Sequence, residues 1–133
     1  MSEWRHLNPD GVFDPSQIYT HIVVPPPGRT VFFAGQWGGD LKGVLVEGGF
    51  GAQVEQAFAN VRRHLAALGI GPGEVGKLTH YVVELDQDKR AALHEHIATI
   101  WPTDKPASTL LGVNRLAREG MLYEVDVHAV VPD

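Results

Sequence analysis

The segment from Leu122 to Ala129 alternates between apolar and polar side chains. Such alternation is typical of a β-strand that buries one face of a sheet and leaves the other face in water. Glu124, Asp126 and His128 therefore share the polar face of this predicted strand. A half-buried sheet constrains the rest of the chain, because other segments must cover its apolar face.

Two segments have the apolar spacing of helices. The first is predicted over residues 52–68, with Gly69 as its natural stop, and the second over Lys89–Trp101, from a start at Asp86 to an end at Pro102. The side chains expected to be buried are Val54, Ala57, Phe58, Val61, Leu65 and Leu68 in the first helix and Leu93, Ile97, Ile100 and Trp101 in the second.

The amino-terminal part of the chain contains dense turn signals and β-branched residues. The first dozen residues predict an irregular arm. Strands predicted at Ile18–Val24 and Thr30–Gly35 are expected to form an antiparallel hairpin with the proline-rich turn between them. The glycine-rich segment Gln36–Gly51 is predicted as a loop with a short strand in it.

Two further strands are predicted in the carboxyl-terminal half, over Val75–Leu85 and over the segment that starts at Lys105. In the first of them, Val75, Tyr81, Val83 and Leu85 are expected on one face.

The order of these elements predicts an α+β fold in one domain that spans residues 1–133. From this order, we expect both helices to pack on one face of a mixed sheet. The other sheet face then needs cover, and a second copy of the same short chain would supply it. We therefore expect a homo-oligomer.

Charge and composition narrow the function classes. The formal net charge is −5, which works against binding a polyanion, and the absence of cysteine excludes disulfides and thiolate chemistry. No basic amino-terminal region precedes an apolar stretch, and no apolar run is long enough to cross a membrane. We expect a cytoplasmic protein that binds neither nucleic acid nor a membrane.

Several segments, taken in order and with their spacing, resemble the reactive-intermediate deaminase (Rid or YjgF-like) family. The marks of this resemblance are Tyr19-Thr-His-Ile-Val, Val31-Phe-Phe-Ala-Gly-Gln, Ala52-Gln-Val-Glu-Gln-Ala-Phe, Val75-Gly-Lys-Leu-Thr-His-Tyr-Val, Pro106-Ala and Glu124-Val-Asp-Val-His-Ala. The resemblance implies a chorismate-mutase-like fold, a homotrimer and ligand clefts between subunits. It also implies hydrolysis of 2-imino or enamine acids to 2-keto acids and ammonia, without a cofactor.

The resemblance also assigns site positions. The family's carboxylate-binding arginine, directly after Pro-Ala, is replaced by Ser108, whereas its glutamate in the last strand is retained as Glu124. Its aromatic residue near the amino terminus is retained as Tyr19. The remaining correspondences place Ala34 and Gly35 at the family's Ser-Gly turn, His94 at an asparagine of the second helix and Leu110 at a cysteine.

Glu124 is the predicted catalytic residue, because hydrolysis of an imine needs a carboxylate to orient or deprotonate water. Ser108 is expected to weaken the binding of a carboxylated substrate unless another cation replaces the arginine. Arg29, Arg115 and Arg118 are candidates, with ordinary surface arginines as the alternative. Trp37 either closes over a ligand or packs as a half-buried side chain.

We predict no metal site. His94 and His96 lie two residues apart on a helix and so point in different directions. His80, Asp126 and His128 lie on strands, where they either converge or serve as hydrogen-bonded side chains. Two functions remain open: an imine or enamine hydrolase with an altered substrate range, and a non-enzymatic module that binds a small metabolite on the same scaffold.

Overall fold

Strand β7 (Tyr123–Pro132) is the centre of a five-stranded mixed sheet in the computed structural model, which describes residues 3–133. On one side it pairs antiparallel with β3 (Gly28–Phe32) and then with β4 (Gln36–Trp37). On the other side it pairs antiparallel with β5 (Val75–Val83), which pairs parallel with the edge strand β6 (Ala107–Val113).

The predicted alternation in β7 is confirmed. Val125, Val127 and Ala129 are buried, whereas Glu124 and Asp126 are half-buried on the opposite face. Val125 and Val127 pack among the core residues that the helices supply, so the helices cover one face of the sheet only.

The two predicted helices are confirmed with small shifts of their ends. Helix α1 covers Phe50–Ala67, and Gly69 follows it with a left-handed φ of 73°. Helix α2 covers Gln87–Ile100, and the Asp86 side chain caps it by accepting a hydrogen bond from the backbone N–H of Lys89 at 2.8 Å. A 3₁₀ turn precedes β5. The α+β arrangement with two helices on one face is therefore confirmed.

The predicted hairpin is wrong. Strand β2 (Ile22–Val24) pairs with β1 (Arg5–Leu7) in the arm that we predicted to be irregular, and β3 pairs with β7 instead. Residues 16–18 form a turn, because the carbonyl of Pro15 accepts hydrogen bonds from the N–H groups of the residues three and four positions later. Pro25, Pro26 and Pro27 fill the connection between β2 and β3, and their fixed φ suits an extended segment better than a tight reversal of the chain.

The predicted face of β5 is also wrong. Leu78, His80 and Val82 are the buried side chains, together with Val75, while Leu85 lies beyond the strand and is 37% exposed. A register shift between Val75 and Lys77 explains the error, because a bulge of one residue exchanges the two faces of a strand.

The open face of the sheet carries a mixture of polar and apolar side chains. Phe32 is 73% exposed there, and Leu111 is also exposed. The predicted homo-oligomer that would cover this face stays a prediction. Within residues 3–133, no helix is both long enough and apolar enough to span a membrane.

Candidate functional site

A cavity of about 100 Å³ lies between α2, β6 and the turn that precedes β2. We call it the helix-side cavity. Its walls contain four of the residues that the family resemblance singles out. The lining residues are Ile18, Tyr19, His80, Arg90, Leu93, His94, Ile97, Ser108 and Leu110.

Strand register explains why Ser108 and Leu110 face this cavity. In the parallel β5–β6 ladder, Ser108 lies opposite Leu78, and Leu110 lies opposite His80. Both partners are buried on the face that the helices cover, so the alternation of β6 directs Ser108 and Leu110 towards α2.

The turn that carries Tyr19 is fixed by its neighbour Thr20, which is buried. The Thr20 N–H donates to the carbonyl of Pro106 at 3.3 Å, and its hydroxyl donates to the carbonyl of Lys105. Tyr19 is therefore anchored to the segment that leads into Ser108.

His80 is a cavity residue that our reading of the sequence did not assign to the ligand site. Its side chain is 3% exposed, and its Nδ1 lies 2.6 Å from the hydroxyl oxygen of Tyr123. Burial lowers the pKa of His80 to about 3, with smaller contributions from His94 and Lys77. The sequence signal was a histidine in an otherwise apolar alternation, which the wrong face assignment of β5 concealed.

Arg90 is the second unassigned residue, and it supplies a cation to the cavity wall. It lies one helical turn before His94 on α2. Burial, and secondarily the charge of Arg90, lower the pKa of His94. The cavity therefore combines histidines that favour the neutral form with one arginine.

The three arginines that we considered as substitutes for the family's arginine do not line the helix-side cavity. Arg29 lies on β3, at the sheet edge opposite β6. The guanidinium of Arg118 lies 4.6 Å from the ring centre of Trp37 and donates to the carbonyl of Gly43 at 3.0 Å. Arg115 lines a separate groove with Glu84 and Glu119.

Glu124 belongs to a second group of residues, on the open face of the sheet. We call Glu124, Gly35 and Trp37 the open-face cluster. Trp37 lies directly opposite Glu124 in the β4–β7 ladder. A Cβ atom on Gly35 would lie 1.8 Å from the Glu124 carboxylate oxygen Oε2, so a side chain at this position would collide with the carboxylate. Ala34, the neighbour of Gly35, is exposed.

The environment of Glu124 favours its protonated form. Burial raises the pKa of this carboxyl, and the nearby charge of Asp126 raises it further. Asp126 is itself held by the Tyr81 hydroxyl, which donates to its Oδ2 at 2.8 Å. A carboxyl with a raised pKa is a stronger base once it is deprotonated, which suits proton exchange with water.

The helix-side cavity and the open-face cluster lie on opposite faces of one sheet. The same division separates His80 from Asp126 and His128, so those three side chains do not converge. Among residues 3–133, no group of three or more histidine or acidic side chains is arranged to hold a metal ion.

The family described as endoribonuclease L-PSP matches this chain over residues 12–131. The crystal structure of YyfB from Yersinia pestis, described as a protein of unknown function of the conserved Rid family, matches with a TM-score of 0.90. The sequences are 31% identical, and the match covers 96% of this chain and 98% of that chain.

RidA from an Antarctic Psychrobacter bacterium matches with a TM-score of 0.70 and 26% identity, over 96% of this chain and 99% of that chain. No curated protein gives a significant match. The fold that the sequence resemblance implied is confirmed by these structures. This chain therefore belongs to the Rid family, whose shared sequence pattern carries the description endoribonuclease L-PSP.

Proposed function

We propose that this protein is a cytoplasmic homotrimer that binds a small metabolite between subunits and hydrolyses an imine or enamine in that cleft. The separation of the helix-side cavity from the open-face cluster supports this assembly. One copy cannot bring Ser108 and Glu124 to the same ligand, because they lie on opposite faces of its sheet. A cleft between two copies can use the helix-side cavity of one and the open-face cluster of the other.

Glu124 handles water in this proposal. The carboxylate takes a proton from water as the oxygen attacks the carbon of a protonated imine, and a carbon–oxygen bond forms. The proton returns to the nitrogen of the resulting carbinolamine, and the carbon–nitrogen bond breaks to release ammonia. The hydroxyl proton passes back to the Glu124 carboxylate as the carbonyl forms, and from there to solvent. The products are a carbonyl compound and ammonia, and water is the only co-reactant.

The helix-side cavity holds the remainder of the substrate. Ser108 offers a neutral hydroxyl where an arginine would give a bidentate contact to a carboxylate, a contact worth about 1.5–3 kcal/mol. Arg90 supplies a cation to the same cavity from α2 instead. We therefore expect a substrate range that differs from that of a protein with arginine at position 108.

The competing function is a non-enzymatic module that binds a metabolite and catalyses nothing. Ser108 and Leu110 favour it, because they replace the arginine and the cysteine that the family resemblance implies at these positions. Nucleic-acid cleavage has less support. The chain has a net charge of −5, and neutralising phosphates takes clustered basic residues.

The decisive experiment generates imines in situ with an amino-acid oxidase and follows release of the carbonyl product. Imines with and without a carboxylate should both be supplied, to wild type and to Ser108→Arg. We expect wild type to accelerate hydrolysis, and Ser108→Arg to increase the preference for carboxylated imines. If wild type accelerates the hydrolysis of none of these imines, the enzymatic proposal is rejected in favour of the non-enzymatic binding module.

Analytical ultracentrifugation of the full chain tests the assembly separately. We expect a trimer. A monomer at the concentrations of the activity assay would contradict a site shared between subunits.

A further inference from the structure

His80 is a buried titratable residue for which the proposed hydrolysis has no use. It faces the helix-side cavity from β5, beside Leu110 and below His94 of α2. A polar ring in this position needs hydrogen-bond partners, because burying an unsatisfied polar group destabilises the fold. One partner is the Tyr123 hydroxyl, at 2.6 Å from Nδ1.

The Tyr123 hydroxyl determines which ring nitrogen of His80 carries the proton. Tyr123 is fully buried, and within residues 3–133 its hydroxyl has His80 as its partner. If Nδ1 carried the proton and donated it, the hydroxyl hydrogen would be left buried without an acceptor. The hydroxyl therefore donates to Nδ1, and the neutral ring carries its proton on Nε2.

The Nε2 of His80 is not fully buried. Every fully buried side-chain nitrogen or oxygen within residues 3–133 has a hydrogen-bond partner. Nε2 has no hydrogen-bond partner within that range, so it must keep some accessible surface. Because His80 lines the helix-side cavity, the Nε2–H group is a donor available to a molecule inside it.

We propose that His80 is a ligand-binding residue whose Nε2–H donates a hydrogen bond to a carbonyl oxygen of a small molecule in the helix-side cavity, with Tyr123 as its positioning residue. This role rests on the part of the proposed function that makes the cavity a binding site, and it does not require catalysis. The neutral Nε2–H can hydrogen-bond an uncharged carbonyl oxygen, while Arg90 in the same wall accommodates an anionic group.

Nuclear magnetic resonance of the ¹⁵N-labelled full chain tests the tautomer first. We expect His80 to have its proton on Nε2 in the free protein, and to lose this fixed state in Tyr123→Phe. A proton on Nδ1 in wild type would overturn the proposal. A role of Tyr123 in packing alone would leave the tautomer of His80 unchanged in Tyr123→Phe.

Binding of pyruvate and isobutyrate tests the contact, because a methyl group in isobutyrate replaces the keto oxygen of pyruvate. We expect pyruvate to shift the Nε2 signal of His80 and to bind about 2- to 10-fold more tightly than isobutyrate, the range for one hydrogen bond. An unchanged Nε2 signal at the highest pyruvate concentration that the protein tolerates would overturn the proposal.

The double variant His80→Leu with Tyr123→Phe removes both partners, so that no buried polar group is left unsatisfied. We expect it to lose the preference for pyruvate, whereas His96→Gln, on the same helix as His94 but outside the cavity wall, should keep it. A preference that persists in the double variant would reject the role of His80. If wild type prefers pyruvate to isobutyrate but hydrolyses no imine, the proposed reaction is rejected and the role of His80 stands.

Discussion

The helix-side cavity and the open-face cluster shift the pKa values of their ionisable groups in opposite directions. The cavity holds His80 and His94 in the neutral form, with one cation nearby. The cluster raises the pKa of a carboxyl beside a second acidic residue. The cavity is therefore suited to bind and orient a ligand, and the cluster to move a proton.

This division gives separate expectations for binding and for turnover. A substitution in the cluster should lower kcat with little effect on affinity, and a substitution in the cavity should act mainly on affinity. A variant that breaks this separation would show that the two regions do not serve one cleft in the proposed way.

Glu124→Gln is expected to have the largest effect. Removing a general base lowers rates by about 10²- to 10⁴-fold, and glutamine keeps the size of the side chain. Steady-state kinetics of imine hydrolysis should show this loss in kcat, while pyruvate affinity stays within about twofold of wild type, close to the effect of an ordinary surface substitution. Full activity in Glu124→Gln would exclude Glu124 as the group that handles water.

Gly35→Ala should have the next largest effect. The added Cβ would overlap Oε2 of Glu124, so the carboxylate must move away from its position in the cluster. Displacing a catalytic group by about 1 Å can cost about 10²-fold in rate. Gly73→Ala is the matched control, because an added Cβ there meets no atom within 4 Å. Equal kcat values in the two variants would show that the position of the carboxylate is not critical.

Arg90→Gln is expected to act on affinity. Loss of a charge-assisted contact should weaken carboxylated ligands about 10-fold and leave uncharged ligands nearly unchanged. Isothermal titration with pyruvate and with acetone compares the two ligand types. Arg62→Gln, an exposed position in α1, is the control for a general change in charge. Equal losses for both ligands would mean that Arg90 does not act as a cation towards the ligand.

His80 should also make folding stability depend on pH. Its pKa falls from 6.5 in the unfolded chain to about 3 in the folded protein, so below pH 6.5 the unfolded state binds more protons. The free energy of unfolding that this shift contributes above pH 6.5 is lost as the pH falls towards 3, by up to about 1.4 kcal/mol per pH unit. His94 in its protonated form and Lys77 lower the pKa of this ring further, and Tyr123 is its hydrogen-bond partner.

Urea unfolding between pH 6.5 and pH 4 measures this dependence. We expect a shallower fall of the free energy of unfolding in His80→Gln than in wild type, with His96→Gln as the control for loss of a histidine outside the cavity wall. Identical slopes in all three proteins would mean that His80 titrates normally in the folded state.

The sequence predicted the framework of both regions but not every side chain that lines them. Alternating polarity placed Glu124 on the open face, and the helical spacing located both helices. The bulge between Val75 and Lys77 concealed the inward orientation of His80, because one extra residue exchanges the faces of a strand. The pairing of β2 with β1 was not predictable from local turn signals. The partner of a strand depends on contacts with residues distant in sequence, and local residue preferences do not show them.

Asp126→Asn should have the smallest effect, and it tests the electrostatics of the open-face cluster. Burial is the main cause of the raised pKa of Glu124, and the charge of Asp126 adds to it. Glu124 acts as a base only when it is deprotonated, so activity should rise with pH through its pKa. Removing the charge of Asp126 should move this acid limb to lower pH, but not to the ordinary range of a glutamate, because the burial remains.

Asparagine keeps an oxygen that can accept from Tyr81, which limits the structural change. The pH profile of kcat gives the measurement, with Asp88→Asn in the exposed first turn of α2 as the control. A limb that moves to higher pH in Asp126→Asn would contradict the assignment of that limb to Glu124.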